Sequence, residues 1–398
     1  MKMKRPWLPI CAAWVLGYLA GCDHPSSQSA SESPSEKIQM QAIATVADWP
    51  TFRGDQQLQA YSPGTMDEEL KVKWTHNLGQ AILATPIIAE EKIFVSCELG
   101  LLAALDVHTG ERLWQFENEF GFEASPFFHE GRIYIGALDG AYYCFDATTG
   151  ELLWENMIQG QISGASNIVR VAVEDGIREQ IIFGAYDAQL HALDPETGET
   201  FWTYQADNYI NGAPAISGVG HVLVGGCDAY LHVVDAASGE AIHQVYLNTY
   251  VQSSAVADGP TAYAGNYEGE FFAVEIQTGE VLWTFADAIG PFSSPHAVAN
   301  DLVVASNEDE HLYALNKDTG ALHWKFQGLG IFESGPLIVG DTVLATTANG
   351  YFHALNLETG KELWSLDLGS SLLAAPAVAS QALYLGDSDG ILHAFTWE

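Results

Sequence analysis

The sequence predicts an all-β fold, an eight-bladed β-propeller with four-stranded antiparallel blades, and three observations carry that prediction. First, a phrase ending T-G-x-x-x-W recurs, as in Ala103–Trp114, Cys144–Trp154, Ala192–Trp202, Ala273–Trp283, Ala314–Trp324 and Ala354–Trp364. With a degraded copy at Val233–His243, its glycines (Gly110, Gly150, Gly198, Gly239, Gly279, Gly320, Gly360) lie 40, 48, 41, 40, 41 and 40 residues apart. A period near 40 made of short apolar strands and turn residues is the signature of a propeller. Second, an independent series marks eight innermost strands: Thr85-Pro86, Ser125-Pro126, Ser166-Asn167, Ala213-Pro214, Ser254-Ala255, Ser294-Pro295, Gly335-Pro336 and Ala375-Pro376. Third, the last repeat has three strands and no fourth, whereas Trp74 near the start has no blade before it. Leu70–Leu78 is therefore expected to be the outer strand of the last blade, closing the ring and removing its free edges.

Taken in chain order, the first element is a leader. Lys2, Lys4 and Arg5 precede the apolar run Trp7–Ala20, which is too short for a comfortable membrane span. The ending Leu19-Ala20-Gly21-Cys22 resembles the bacterial lipobox, which implies that residues 1–21 are a removed signal and that Cys22 is lipidated. Residues 22–45 are rich in Ser, Gln, Glu, Ala and Pro and read as a disordered tether. Such a tether would hold the domain roughly 25 Å from the membrane. Residues 46–398 are the propeller.

One repeat shows how each strand arises. Ser125–His129 opens a strand and Glu130-Gly131 turns it. Arg132–Ala137 alternates and is β-branched or aromatic, a second strand. Asp139-Gly140 is a hairpin turn, Ala141–Asp146 a third strand, Thr148-Thr149-Gly150 another turn and Glu151–Asn156 the fourth. The tryptophans Trp74, Trp114, Trp154, Trp202, Trp283, Trp324 and Trp364 fall on outer strands. A flat indole there packs on the neighbouring blade, with its N–H on a backbone carbonyl. Blade four has His243 instead, and blade three carries a first hairpin lengthened by seven residues, with Glu174-Asp175-Gly176 at its tip.

The repeat A-x-[DN]-x-x-T-G-x-x-x-W resembles the tryptophan-docking motif of the PQQ-like, quinoprotein-type propellers. Trp49–Asp55 (WPTFRGD) with Tyr61-Ser62-Pro63 is similar to the entry segment of those proteins. The dehydrogenases of that group carry an adjacent cysteine pair, long insertions and an acidic base. This sequence has no Cys-Cys and no long insertion. Its size, lipobox and regular blades are closest in style to the BamB family of outer-membrane assembly lipoproteins. That resemblance implies a non-catalytic, lipid-anchored scaffold that contacts envelope proteins through propeller-face loops.

Composition bounds the partners. The formal charge of −36 repels nucleic acid and favours basic partners or cations. Cys97, Cys144 and Cys227 show no CxxC spacing and read as buried small residues, with a Cys97–Cys144 bridge left open. No Ser-His-Asp, HExxH or phosphate-loop pattern is present. The histidines His191, His232, His353 and His393 occupy related blade positions and read as repeat structure.

Segments joining one blade to the next run toward the axis. Three residues before the strand-opening Pro or its equivalent stand Leu83, Glu123, Gly164, Asn211, Gln252, Phe292, Glu333 and Leu373, flanked by Phe122 and Phe332. The funnel candidates are thus Phe122, Glu123, Asn211, Gln252, Phe292, Phe332 and Glu333. Glu123, Asn211 and Glu333 suit a cation, since carboxylates and an amide oxygen ligate calcium. The expectation is a monomeric, membrane-anchored, non-enzymatic scaffold facing the periplasm, without cofactor or metal. Two alternatives stand beside it: a dehydrogenase using pyrroloquinoline quinone with calcium, and a binding module for an envelope carbohydrate or small ligand.

Overall fold

The structure is a computed structural model that describes residues 48–66, 70–174 and 176–397. The leader, Cys22 and the tether lie outside these. The described residues form eight sheets arranged as the repeat predicts. In blade one the strands run from the innermost outward as Ile87–Ala89, Lys92–Ser96, Leu101–Asp106 and Arg112–Glu117. Blade two follows with Phe127–His129, Arg132–Gly136, Ala141–Asp146 and Leu152–Met157. The inner strand of blade one is wholly buried, while its outer strand alternates between exposed and half-buried residues. That gradient explains why β-branched and aromatic runs fill the middle strands and an amphipathic pattern marks the outermost.

Ring closure is as expected. Lys71–Asn77 pairs antiparallel with Ile391–Thr396, so the last blade joins the two ends of the chain. Six of the seven repeat indoles are docked across a blade boundary. Nε1 of Trp74, Trp114, Trp154, Trp202, Trp283 and Trp324 donates to a backbone carbonyl of the next blade at 2.7–3.3 Å. The ring lies on that blade's turn glycine. A Cβ on Gly360 would sit 2.5 Å from the Trp324 ring, and the residue has φ +65°. Glycine is therefore required there both by shape and by backbone. Trp364 borders the composite eighth blade, which lacks this turn, and lies edge-on to Phe352 at 5.3 Å. His243 imitates the indole: its Nε2 lies 2.8 Å from the Gln277 carbonyl and its ring covers Gly279. Where the tryptophan meets the third strand the register slips by one residue, as at Ala104↔Trp114 followed by Leu105↔Arg112. A bulge of this kind sharpens the twist that carries one blade toward the next.

The long hairpin of blade three pairs Asn167–Val173 with Gly176–Gly184. Its Arg170 guanidinium donates to Glu179, whose other oxygen is 3.0 Å from His129 Nε2 in blade two. Cys97, Cys144 and Cys227 are free thiols, the first two buried. The histidine reading holds: His191, His232 and His393 are held by Asp187, Asp228 and Asp387 of their own hairpins, and His353 by Glu362.

The element not foreseen is a strap formed by residues 49–62. It circles the axis against the inner strands in blade order. Trp49 exchanges hydrogen bonds with Ile88 of blade one, and the Pro50 carbonyl accepts from Phe128 of blade two. Gln56 serves Asn167, Ile168 and Ile216 of blades three and four. Gln57, Gln59 and Ala60 then accept from Ala257, Val298 and Ile338 of blades five to seven. The last residues, Tyr61–Ser62, pair in parallel with the inner strand of blade seven. The inner edges of blades one to seven, which would otherwise expose unpaired backbone groups, thereby gain hydrogen-bond partners.

Candidate functional site: the axial funnel

Each blade sends its second hairpin and its connection to the next blade toward one face, and the first and third hairpins toward the other. On the first of these faces the connections frame a cup of about 220 Å³ on the axis. Phe52 of the strap forms its floor. The walls include Leu83, Glu123, Gly164, Asn211, Gln252, Glu333 and Leu373, together with Ser163, Ser253 and Ser293. Glu123, Asn211, Gln252 and Glu333 are thus all part of this wall.

Phe122, Phe292 and Phe332 do not reach the funnel. They are fully buried in the blade packing, against Tyr143, Phe271 and His353 respectively. The corresponding residue of the other blades is Ile82, Ile162, Ile210, Val251 or Leu372, buried in each case. An apolar residue at one position of all eight blades is a core signal, and it was available in the sequence. Counting back from Pro295 misplaced blade six by one residue. His296, not Pro295, stands where Pro336 stands in blade seven, because the Arg53 guanidinium donates to the carbonyls of both His296 and Pro336. Ser293 is accordingly the blade-six residue in the wall.

Several wall hydroxyls are already committed. Ser293 donates to Glu308 at 2.6 Å, Ser334 shares a hydrogen with Thr346, and Ser254 accepts from the Ala213 N–H at 2.8 Å. Glu123 and Glu333 are exposed and have no basic partner among the described residues. Asn211 Oδ1 is buried without a hydrogen-bond partner. The two carboxylates, on blades two and seven, are thus acceptors in the wall without a cation beside them.

Beneath the floor the strap carries buried charge. Desolvation pushes the Arg53 guanidinium down to about 9 against the attraction of Asp55. Burial pushes Asp55 up to about 6, opposed by backbone N–H groups of Gln59, Gln57 and Leu58. His296 is driven down to about 3 by burial and then by the Arg53 charge.

The sequence pattern of the family described as outer membrane protein assembly factor BamB matches residues 66–124, 98–326 and 317–398. The chain belongs to the BamB family. No curated protein matches the sequence. Among solved structures, BamB from Moraxella catarrhalis is similar at 18% identity and TM-score 0.71, over 83% of this chain and 98% of that one. The quinohemoprotein alcohol dehydrogenase from Comamonas testosteroni is similar at 16% identity and TM-score 0.72, over 89% and 81%. A europium-containing methanol dehydrogenase gives 13% and 0.70, over 88% and 98%. At these identities the likeness is one of fold, shared by BamB and by enzymes.

The quinone of such enzymes is a planar tricarboxylate, so a site for it needs cationic side chains and flat apolar surface. The residues of this funnel do not fit it. No Lys, Arg or His lines the cup, Phe52 is its one aromatic, and Arg53 lies under the floor with its Nη2 on the carbonyls of His296 and Pro336.

Proposed function

We propose that this BamB-family protein is a lipid-anchored, non-catalytic scaffold of the bacterial cell envelope that binds a protein partner through the loops of its funnel face. The observation that carries this reading is the funnel itself: a shallow cup floored by the protein's own strap, with much of its hydroxyl complement tied into the wall. Catalysis would need a positioned acid or base beside a bound reactant, and the two free carboxylates sit in solvent with nothing to orient them. The exposed side chains around the cup are instead of the kind that bury against another protein. Tyr209, Tyr250, Tyr267 and Ile289 stand on connections and hairpins of this face, exposed by 47–89%.

Photo-crosslinking in cells tests the reading, with the probe at Tyr209 or Ile289 and, as control, at Glu91 on the opposite face. Adducts with a discrete envelope protein are expected from the first pair alone. Turnover of alcohols or sugars by purified protein supplied with pyrroloquinoline quinone and calcium would instead favour an enzyme. Metabolic labelling with a fatty-acid analogue, lost in Cys22→Ser, tests the anchor.

A further inference from the structure

We propose that the funnel face recognises a lysine-bearing protein segment, with the lysine ammonium seated in the axial cup and its apolar neighbours resting on the rim. The proposal rests on the scaffold reading and names the chemistry of the partner.

The distribution of charge is the first support. Among the described residues no lysine or arginine stands on a hairpin or connection of the funnel face. Lys71, Lys92, Arg112, Arg132, Lys317 and Lys361 all lie at strand ends of the opposite face. Lys73 bonds the Val107 carbonyl there, and Arg170 and Arg178 belong to the long hairpin that projects from that face. Lys325 is held mid-strand on the Tyr313 hydroxyl, and Arg53 is buried. The funnel face in turn presents exposed Glu98, Glu119 and Glu268 around the free Glu123 and Glu333. A protein of charge −36 that gathers its bases on one face offers the other to a cation.

The second support is the kind of group left unpaired. The two exposed carboxylates are acceptors only, and they face the cup from blades two and seven. A primary ammonium has three donors and no acceptor, arranged about one centre, whereas a guanidinium spreads its donors in a plane. The rim supplies the third support. Tyr186 and Tyr209 stack at 5.0 Å and 7°, and Tyr250 leans on Tyr267 at 6.4 Å. With Ile289 and Leu329 they make an apolar crescent over blades three to seven. Acid cup and apolar crescent together fit a segment that is both basic and hydrophobic, and exclude an acidic one.

Isothermal titration tests this on the folded mature protein. The probe is a ten-residue peptide with one central lysine between leucines, compared with the same peptide acetylated at that lysine. The unmodified peptide should bind at least tenfold more tightly, and salt should weaken it. The double variant Glu123→Gln/Glu333→Gln should erase that difference, while Glu90→Gln/Glu91→Gln on the far face should not. Tyr209→Ser should weaken both peptides alike. Equal binding of the two peptides, or an unchanged preference in the funnel variant, would overturn the proposal. So would calcium alone binding the parent and not the funnel variant, since that would make the cup a metal site. Retained crosslinking to an envelope protein in the double variant would remove the lysine assignment and leave the scaffold reading standing. Peptide binding without any crosslinked partner would do the reverse.

Discussion

Replacing Trp324 by alanine separates docking from mere repetition. Trp324 is the most buried of the docked indoles, at 8% exposure. Its Nε1 donates to the Leu357 carbonyl at 2.7 Å and its ring covers Gly360. Truncation removes the ring and leaves a cavity that Gly360 cannot fill, and such changes cost about 3–5 kcal/mol. The Leu357 carbonyl also loses its donor. His243 fills the same position in blade four with a smaller ring and one hydrogen bond, so His243→Ala should cost about 1 kcal/mol. The converse change is more telling. Gly279 already presents the bare surface on which an indole would lie, so His243→Trp should stabilise by about 1 kcal/mol through added apolar burial. Urea unfolding followed by circular dichroism reads all three without depending on tryptophan emission. Equal losses in Trp324→Ala and His243→Ala, or a destabilised His243→Trp, would show that docking depends on something other than the indole and its glycine.

Three further outcomes follow from the same geometry. Deleting Leu70–Leu78 should unpair Ile391–Thr396 and give a less stable protein that aggregates through the freed edge, checked by melting and light scattering. His296 is held near 3 against 6.5 when unfolded, so its contribution is complete above pH 6.5 and is lost as pH falls toward 3. Between pH 6.5 and 4 the parent should lose about 3 kcal/mol that His296→Gln does not, at about 1.4 kcal/mol per unit, measured by urea unfolding at each pH. Asp55 shifts in the other direction, and its effect cancels in that difference because both proteins carry it. Arg53→Met should destabilise the strap, by leaving the His296 and Pro336 carbonyls without a donor, and should raise proteolysis between Trp49 and Ser62.

The repeat made the blades legible because a blade is written in local chemistry: turn glycine, indole, alternating strand. Closure was legible for the same reason, since Trp74 without a blade and a blade without its fourth strand imply each other. The funnel was half legible. Glu123, Asn211, Gln252 and Glu333 follow from register alone, but Phe122, Phe292 and Phe332 look equally axial until the apolar residue shared by all eight blades is aligned. Pro295 misled because proline marks the start of most inner strands, and in blade six it comes one residue early. The strap could not be read from pattern at all. Residues 49–62 have no period, and their partners are backbone groups up to 283 residues away.

The strap also explains why the two ends of the axis differ. Inner strands present an unpaired edge to the channel, and eight such edges cannot pair with one another across it. One extended segment that meets seven of them in turn satisfies those groups, and in doing so plugs the channel below Phe52. What remains open is the end where the blade connections begin, whose lining is set by side chains and not by backbone. Carboxylates can stay free there because the strap has taken the one arginine near the axis and fixed it on carbonyls beneath the floor. Had Arg53 pointed upward, it would have paired with Glu123 or Glu333 and halved the negative charge of the cup. Holding Arg53 down costs the desolvation that lowers it to about 9, and what the fold gains is a funnel whose two exposed carboxylates have no basic partner among the described residues.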